Sequence, residues 1–116
     1  MRITDKRNGR VVARDAVIAR SIIAQLKGLM CRREFPEGSA LIIPGCRQVH
    51  TFFVWFPLDL VFVDKAGKAV RIVEGIRPFE ISCYSKKAAQ TIELPAGAVS
   101  TYDIREGDEL LVEDMR

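Results

Sequence analysis

At 116 residues, with 48% hydrophobic and 28% charged positions and a net charge of +3, the chain has the make-up of one globular domain, 1–116. That excludes a disordered or low-complexity protein, and no apolar run approaches the roughly 20 residues that span a bilayer. The three cysteines, Cys31, Cys46 and Cys83, are odd in number and widely spaced, which argues against a disulfide scaffold and for reduced thiols.

In chain order, Lys6-Arg-Asn-Gly-Arg10 carries Asn8-Gly9, the signal of a tight hairpin whose two central residues take positive φ. Val11–Ala13 reads as the return strand and Ala16–Ala19 as a short third one. Ser21 is a helix N-cap, Ile22, Ile23 and Leu26 share one helix face, and Gly28 ends the helix. Gly38 opens a turn before the apolar strand Ala40–Ile43, and Pro44-Gly45 closes it. Val49–Val54 is β-branched and aromatic, and Pro57 marks a break, an edge or a bulge.

Leu58–Val63 then alternates, with Leu58, Leu60 and Phe62 on one face and Asp59, Val61 and Val63 on the other. Asp64-Lys-Ala-Gly67 is a hairpin turn, and Lys68–Glu74 is the partner strand. Arg77-Pro78 loosens the chain, and Ser85–Ala89 is expected as one helical turn. Thr91–Leu94 is a strand, Pro95-Ala-Gly97 a turn into a short helix, and Ile104–Val112 a turn-plus-strand unit with Gly107 left-handed. The expected fold is α+β, with a mainly antiparallel, curled or barrel-like sheet and one or two short helices.

Charge is uneven: residues 1–33 hold nine Lys/Arg against two Asp/Glu. These cations are dispersed and not interleaved with aromatics, so solvated strand faces account for them better than a nucleic-acid surface. The N-terminus has no apolar h-region. The protein is therefore expected to be cytoplasmic as given, or exported if a leader has been removed. An unpaired strand edge leaves monomer and weak dimer both open.

Chemistry concentrates in residues 46–64, which hold the only His, the only Trp, one Cys and four of the six Phe. Several pieces, in order, carry a family resemblance: Gly28-Leu29-Met30 with Arg32, Pro36 and Gly38; Pro44 and Cys46; Val49-His50-Thr51-Phe52; Pro57-Leu58-Asp59; Phe62-Val63-Asp64; Pro78; Leu94-Pro95-Ala96-Gly97; and Ile104 with Gly107-Asp108. From about Val17 to Val112 the chain resembles the small prokaryotic family called domain of unknown function 192. Members usually carry a Met where this chain has Val54, and many carry a leader that is not seen here. The resemblance implies a compact β-rich α+β fold and no particular activity. A link to secretion or envelope assembly is implied only by analogy with some members.

Two readings of the segment follow. In the first, a small binding or accessory domain offers a groove around His50, Trp55 and Asp59, with Arg32 near its rim, to a small ligand or a protein or peptide partner. In the second, Cys46 is a nucleophile, His50 its base and Asp59 the orienting group of a thiol-dependent hydrolase or transferase. The structural alternatives are a buried Cys, a hydrogen-bonded His and an Asp at a turn after Pro57, and these weigh more than the enzyme. A zinc set of Cys31, Cys46, His50 and Cys83, or one extended by Asp59 or Glu93, lacks paired ligand spacing, so neither metal nor cofactor is expected.

Overall fold

The computed structural model describes residues 1–19, 35–49 and 56–114. Among them are eight strands: β1 (Arg2–Asp5), β2 (Val11–Ala13), β3 (Asp15–Ile18), β4 (Ser39–Pro44), β5 (Leu58–Val63), β6 (Ala69–Ile76), β7 (Gln90–Pro95) and β8 (Leu110–Glu113). One short helix, α1 (Ala98–Thr101), follows β7. The strands form a three-stranded sheet in the order β2-β1-β8 and a five-stranded sheet in the order β3-β4-β7-β5-β6. All pairings are antiparallel except β3 with β4. No described helix is long and apolar enough to cross a membrane.

β5 explains the architecture. Its alternation sends Leu58, Leu60 and Phe62 to one face and Asp59, Val61 and Val63 to the other, yet all six are buried. Each face meets its own apolar cluster. The first core gathers Val61 and Val63 with Ile42, Ile92, Leu94 and residues of the smaller sheet such as Ile3 and Leu110. The second gathers Leu58, Leu60 and Phe62 with Leu41, Ile43, Val49 and Ile76. A strand covered on both sides is a middle layer, which is why its sequence is nearly continuous in apolar residues.

That layering corrects the barrel expectation. Among the described residues the sheets are two and open: β3 and β6 edge the larger, and β2 and β8 the smaller. A single isolated bridge, Lys68 to Glu109, pairs residues of the two regions. With apolar clusters on both faces, the larger sheet has no need to close on itself to bury them. The α+β class and the strand-rich content stand.

Local expectations fared unevenly. β2 and β5 occupy the expected residues, and Gly97 and Gly107 take positive φ of 92° and 94°. The first hairpin turns differently. Only Gly9 is left-handed (φ 72°), in a loop closed by Gly9 N–H to the Asp5 carbonyl at 2.8 Å and Asp5 N–H to the Arg10 carbonyl at 2.9 Å. Asn8 instead uses its side chain, accepting from Arg10 N–H at 2.9 Å and donating to the Tyr102 carbonyl at 2.9 Å.

Ser85–Ala89 makes a single turn, closed by Ala88 N–H to the Ser85 carbonyl at 3.4 Å, and no helix. Its backbone is bonded elsewhere: Ser85 N–H reaches the Arg47 carbonyl at 2.9 Å and Ala89 N–H the Val63 carbonyl at 2.8 Å. The expected helix from Ser21 to Gly28 lies outside the described residues. So does the expected strand Val49–Val54 apart from Val49, which is not in a strand.

The smaller sheet is tied to the end of α1 by charge. Arg7 Nε donates to Asp108 at 2.7 Å, and Arg7 Nη2 reaches the Asp103 carbonyl. Asp5 is fully buried, and burial followed by its hydrogen bond to Asp108 pushes it up to about 6. Burial also opposes ionisation of Asp108, but hydrogen bonds from Arg7, Asp5 and the Arg105 N–H outweigh it and hold that carboxyl near 2. Asp5 Oδ1 accepts Arg7 N–H at 3.0 Å, while Oδ2 has no N–H or hydroxyl donor.

Candidate functional site

Of the groups expected to share a site, Cys46 and Asp59 are among the described residues, and these two part at β5. Asp59 lies on the first-core face and is 1% exposed. Its Oδ1 accepts Gly75 N–H at 2.8 Å, and its Oδ2 accepts Gly97 N–H at 3.1 Å and Val99 N–H at 2.9 Å. Gly97 and Val99 open α1, whose N-cap supplies no side-chain bond of its own, so Asp59 caps that helix from another strand.

Gly75 sits where β6 carries an extra residue: Leu58 opposes Ile76, and Leu60 opposes Val73. Its φ of 65° is the left-handed value that such a bulge uses. Both carboxylate oxygens are thus spent on backbone N–H groups, and the residue is a structural clamp.

Cys46 packs against the second core, on the other side of the five-stranded sheet. Its thiol donates to the Gln48 carbonyl at 3.1 Å, and its own carbonyl accepts the Thr91 hydroxyl at 2.8 Å. Cys46 and Asp59 are therefore not brought together. His50, Trp55 and Arg32 lie outside the described residues, as does Cys31. Cys46 and Cys83 are free thiols, and among the described residues no group of three His, Cys, Asp or Glu could hold a metal.

Burial singles out a residue that the sequence reading raised only as an added metal ligand. Glu93 is on β7, between Leu41 of β4 and Leu60 of β5 in the cross-strand row. Both neighbours belong to the second core. Glu93 is 6% exposed, and burial raises its carboxyl to about 7. That carboxyl bonds to no other described residue. The signal was present in Thr91-Ile-Glu-Leu94: a Glu in a short apolar strand between two turns has a buried face whichever way it points. Without knowing that β7 is central, the residue reads as solvent-facing.

The second core also anchors the chain on both sides of the undescribed segments. Ala19 and Val49 belong to it, and Phe35 and Phe56 pack against it. The rings of Phe35 and Phe56 meet at 6.1 Å between centroids.

The fold and sequence have relatives. A structure of a protein of unknown function from Novosphingobium aromaticivorans DSM 12444 superposes with a TM-score of 0.82 at 22% identity, covering 96% of this chain and 82% of that one. A Sinorhizobium meliloti 1021 protein, provisionally described as a transcription regulator, gives a TM-score of 0.80 at 24% identity, covering 95% and 89%. At such identities they share the fold alone. A UPF0127 protein of Thermococcus gammatolerans (strain DSM 15229 / JCM 11827 / EJ3) is 26% identical over 110 residues, 91% of this chain and 71% of that relative. The family model for DUF192 (Uncharacterized ACR, COG1430) matches residues 3–112, a longer stretch than the motifs from Val17 alone suggested, and the chain belongs to that family.

Proposed function

We propose that the chain is a small binding or accessory domain whose ligand or peptide groove lies on the second-core side of the five-stranded sheet, with Glu93 as its buried polar group. The observation that carries this reading is a carboxyl buried among Leu41 and Leu60 with no bonding partner among the described residues. Such a group costs stability unless something pairs with it, and binding sites are where that cost is tolerated. A carboxyl near its half-protonated point at neutral pH can accept from an amine or amide, or donate to a carbonyl.

His50, Trp55 and Arg32 are proposed as contacts because their segments leave and rejoin the chain at residues of the second core. His50 follows Val49, Trp55 precedes Phe56, and Arg32 lies three positions before Phe35. Asp59 drops out of this groove, since its oxygens are spent on the opposite face. The thiol-enzyme reading gains nothing from the geometry: the Cys46 thiol acts as a donor to a carbonyl, and no described base approaches it.

The test is a fragment and dipeptide screen read by isothermal titration calorimetry on the wild type and on variants of Glu93 and Trp55, the only Trp. Hits that saturate, weaken at least tenfold in Glu93→Gln and vanish in Trp55→Ala, with both variants folded, support the groove. A Trp55→Ala variant that unfolds, or hits indifferent to Glu93→Gln, overturns it.

A further inference from the structure

A second feature lies at the β6 edge of the same sheet. Phe62 opposes Arg71 while Val63 opposes Ala69, so Val70 is an extra residue in β6. A bulge of this kind turns two successive side chains to one side. Val70 packs against the second core, and Arg71 stands opposite Phe62 of that core. Both line a cleft of about 370 Å³, completed by Cys83 and the run Tyr84-Ser85-Lys86-Lys87.

That run is held by its backbone. Ser85 N–H donates to the Arg47 carbonyl at 2.9 Å, Arg47 Nε returns a bond to the Ala88 carbonyl at 3.1 Å, and Ser82 N–H reaches the Val49 carbonyl at 2.8 Å. The cleft thus has one wall on a strand and another on a strapped loop, so little ordering is left for a ligand to impose.

Its charge is one-sided. Arg71, Lys86 and Lys87 face the cleft, no Asp or Glu lines it, and none of the three forms an ion pair with a described residue. Three cations left unneutralised around one concavity repel each other and attract an oxyanion. A guanidinium offers a forked pair of donors and the two ammonium groups offer mobile point charges, a combination suited to phosphate oxygens. Ser85 and Tyr84 add hydroxyls in the same wall.

We propose that the cleft formed by Arg71, Tyr84, Ser85, Lys86 and Lys87 binds a phosphate-bearing ligand carrying at least two negative charges. The volume suits a diphosphate or a phosphorylated headgroup and little more. The site goes beyond the Glu93 groove and uses neither Glu93 nor Trp55.

The test uses two probes on the whole protein. Inorganic pyrophosphate is titrated calorimetrically at low and high salt, and phosphatidylglycerol vesicles are compared with phosphatidylcholine vesicles by co-sedimentation. The variants are Arg71→Gln, the pair Lys86→Gln with Lys87→Gln, and Lys65→Gln as a charge control on the exposed turn.

Saturable pyrophosphate binding that weakens at least tenfold in both cleft variants, but not in the control, supports the site with a free phosphorylated molecule as its source. Capture by phosphatidylglycerol vesicles alone, lost in the same variants, supports it with a lipid headgroup. If both probes bind, the tighter names the source. No binding of either, or a loss equal in Lys65→Gln, overturns the proposal. If Arg71→Gln shifts the melting temperature, the double lysine variant decides.

Discussion

Asp59 and Glu93 are both carboxyls buried in the middle of the five-stranded sheet, on paired strands one residue out of step: Asp59 opposes Leu94, the neighbour of Glu93. Alternation sends them to opposite faces, and their fates diverge there. Asp59 takes three backbone N–H groups and fixes a bulge and a helix start. Glu93 takes none from the described residues, and burial raises its carboxyl. Burial alone therefore does not tell these two carboxyls apart; the backbone donors that Asp59 holds do.

The contrast breaks most sharply at Asp59. Asp59→Ala should cost on the order of 3 kcal/mol, because it strands three backbone donors at once, the Val99 N–H among them buried. Urea denaturation reads this directly. Asp59→Asn should cost less, since an amide oxygen still serves one side. A loss below about 1 kcal/mol in the Ala variant would mean that water replaces the carboxylate easily and that the clamp is not one.

Glu93 should act through pH. Its folded-state value, about 7, lies above the ordinary 4.5. The native state therefore holds a proton that the unfolded chain releases, and the linked stability is full below pH 4.5 and lost as pH rises to about 7. The swing is about 3 kcal/mol. Asp5, raised to about 6, adds a slope of the same sign at lower pH, and Asp108, held near 2, gives the opposite sign below pH 3.8. The difference between wild type and Glu93→Gln across pH 4.5–7 isolates Glu93, and a flat difference would refute its burial.

A smaller effect is expected at Gly67. Its φ is 82°, and an added Cβ would stand 2.9 Å from the Leu110 carbonyl oxygen. Gly67→Ala should cost about 2 kcal/mol, against about 1 kcal/mol for Gly107→Ala, which meets nothing within 4 Å. Equal melting temperatures would show that the close approach to β8 relaxes freely. Smallest in free energy is the thiol contrast: Cys83 is exposed and should be alkylated at neutral pH faster than Cys46, whose thiol is bonded to a carbonyl. A Cys46 rate tenfold above that of Cys83 would revive the nucleophile.

Legibility in the sequence followed the range of the interactions. β2 and β5 could be placed residue by residue, because turn residues bracket them and their apolar content is local. The left-handed Gly107 and the turn at Gly97 were readable for the same reason. The role of Asp59 was not, since its partners lie 16, 38 and 40 residues away. The parallel pairing of β3 with β4 and the split into two sheets depend equally on distant contacts. Of the proposed groove, the sequence offered the crowded segment from Cys46 to Asp64, but the division of that segment between two sheet faces, and the central place of Glu93, needed the register.

The pairing of β1 with β8 sets an order of assembly. Arg2 and Glu113 are joined across 111 residues by a 3.3 Å hydrogen bond, in a ladder that runs from Arg2 opposite Glu113 to Asp5 opposite Leu110. On the ribosome, β1 and β2 emerge well before β8 and can pair with each other, but the outer side of β1 stays open until β8 follows. At about 5–20 residues per second, that interval is on the order of 10 s. During it, the bare outer edge of β1 and a first core that still lacks Leu110 are exposed to whatever else is in the compartment. The nascent chain, more than the finished domain, is the form of this protein with most need of a chaperone.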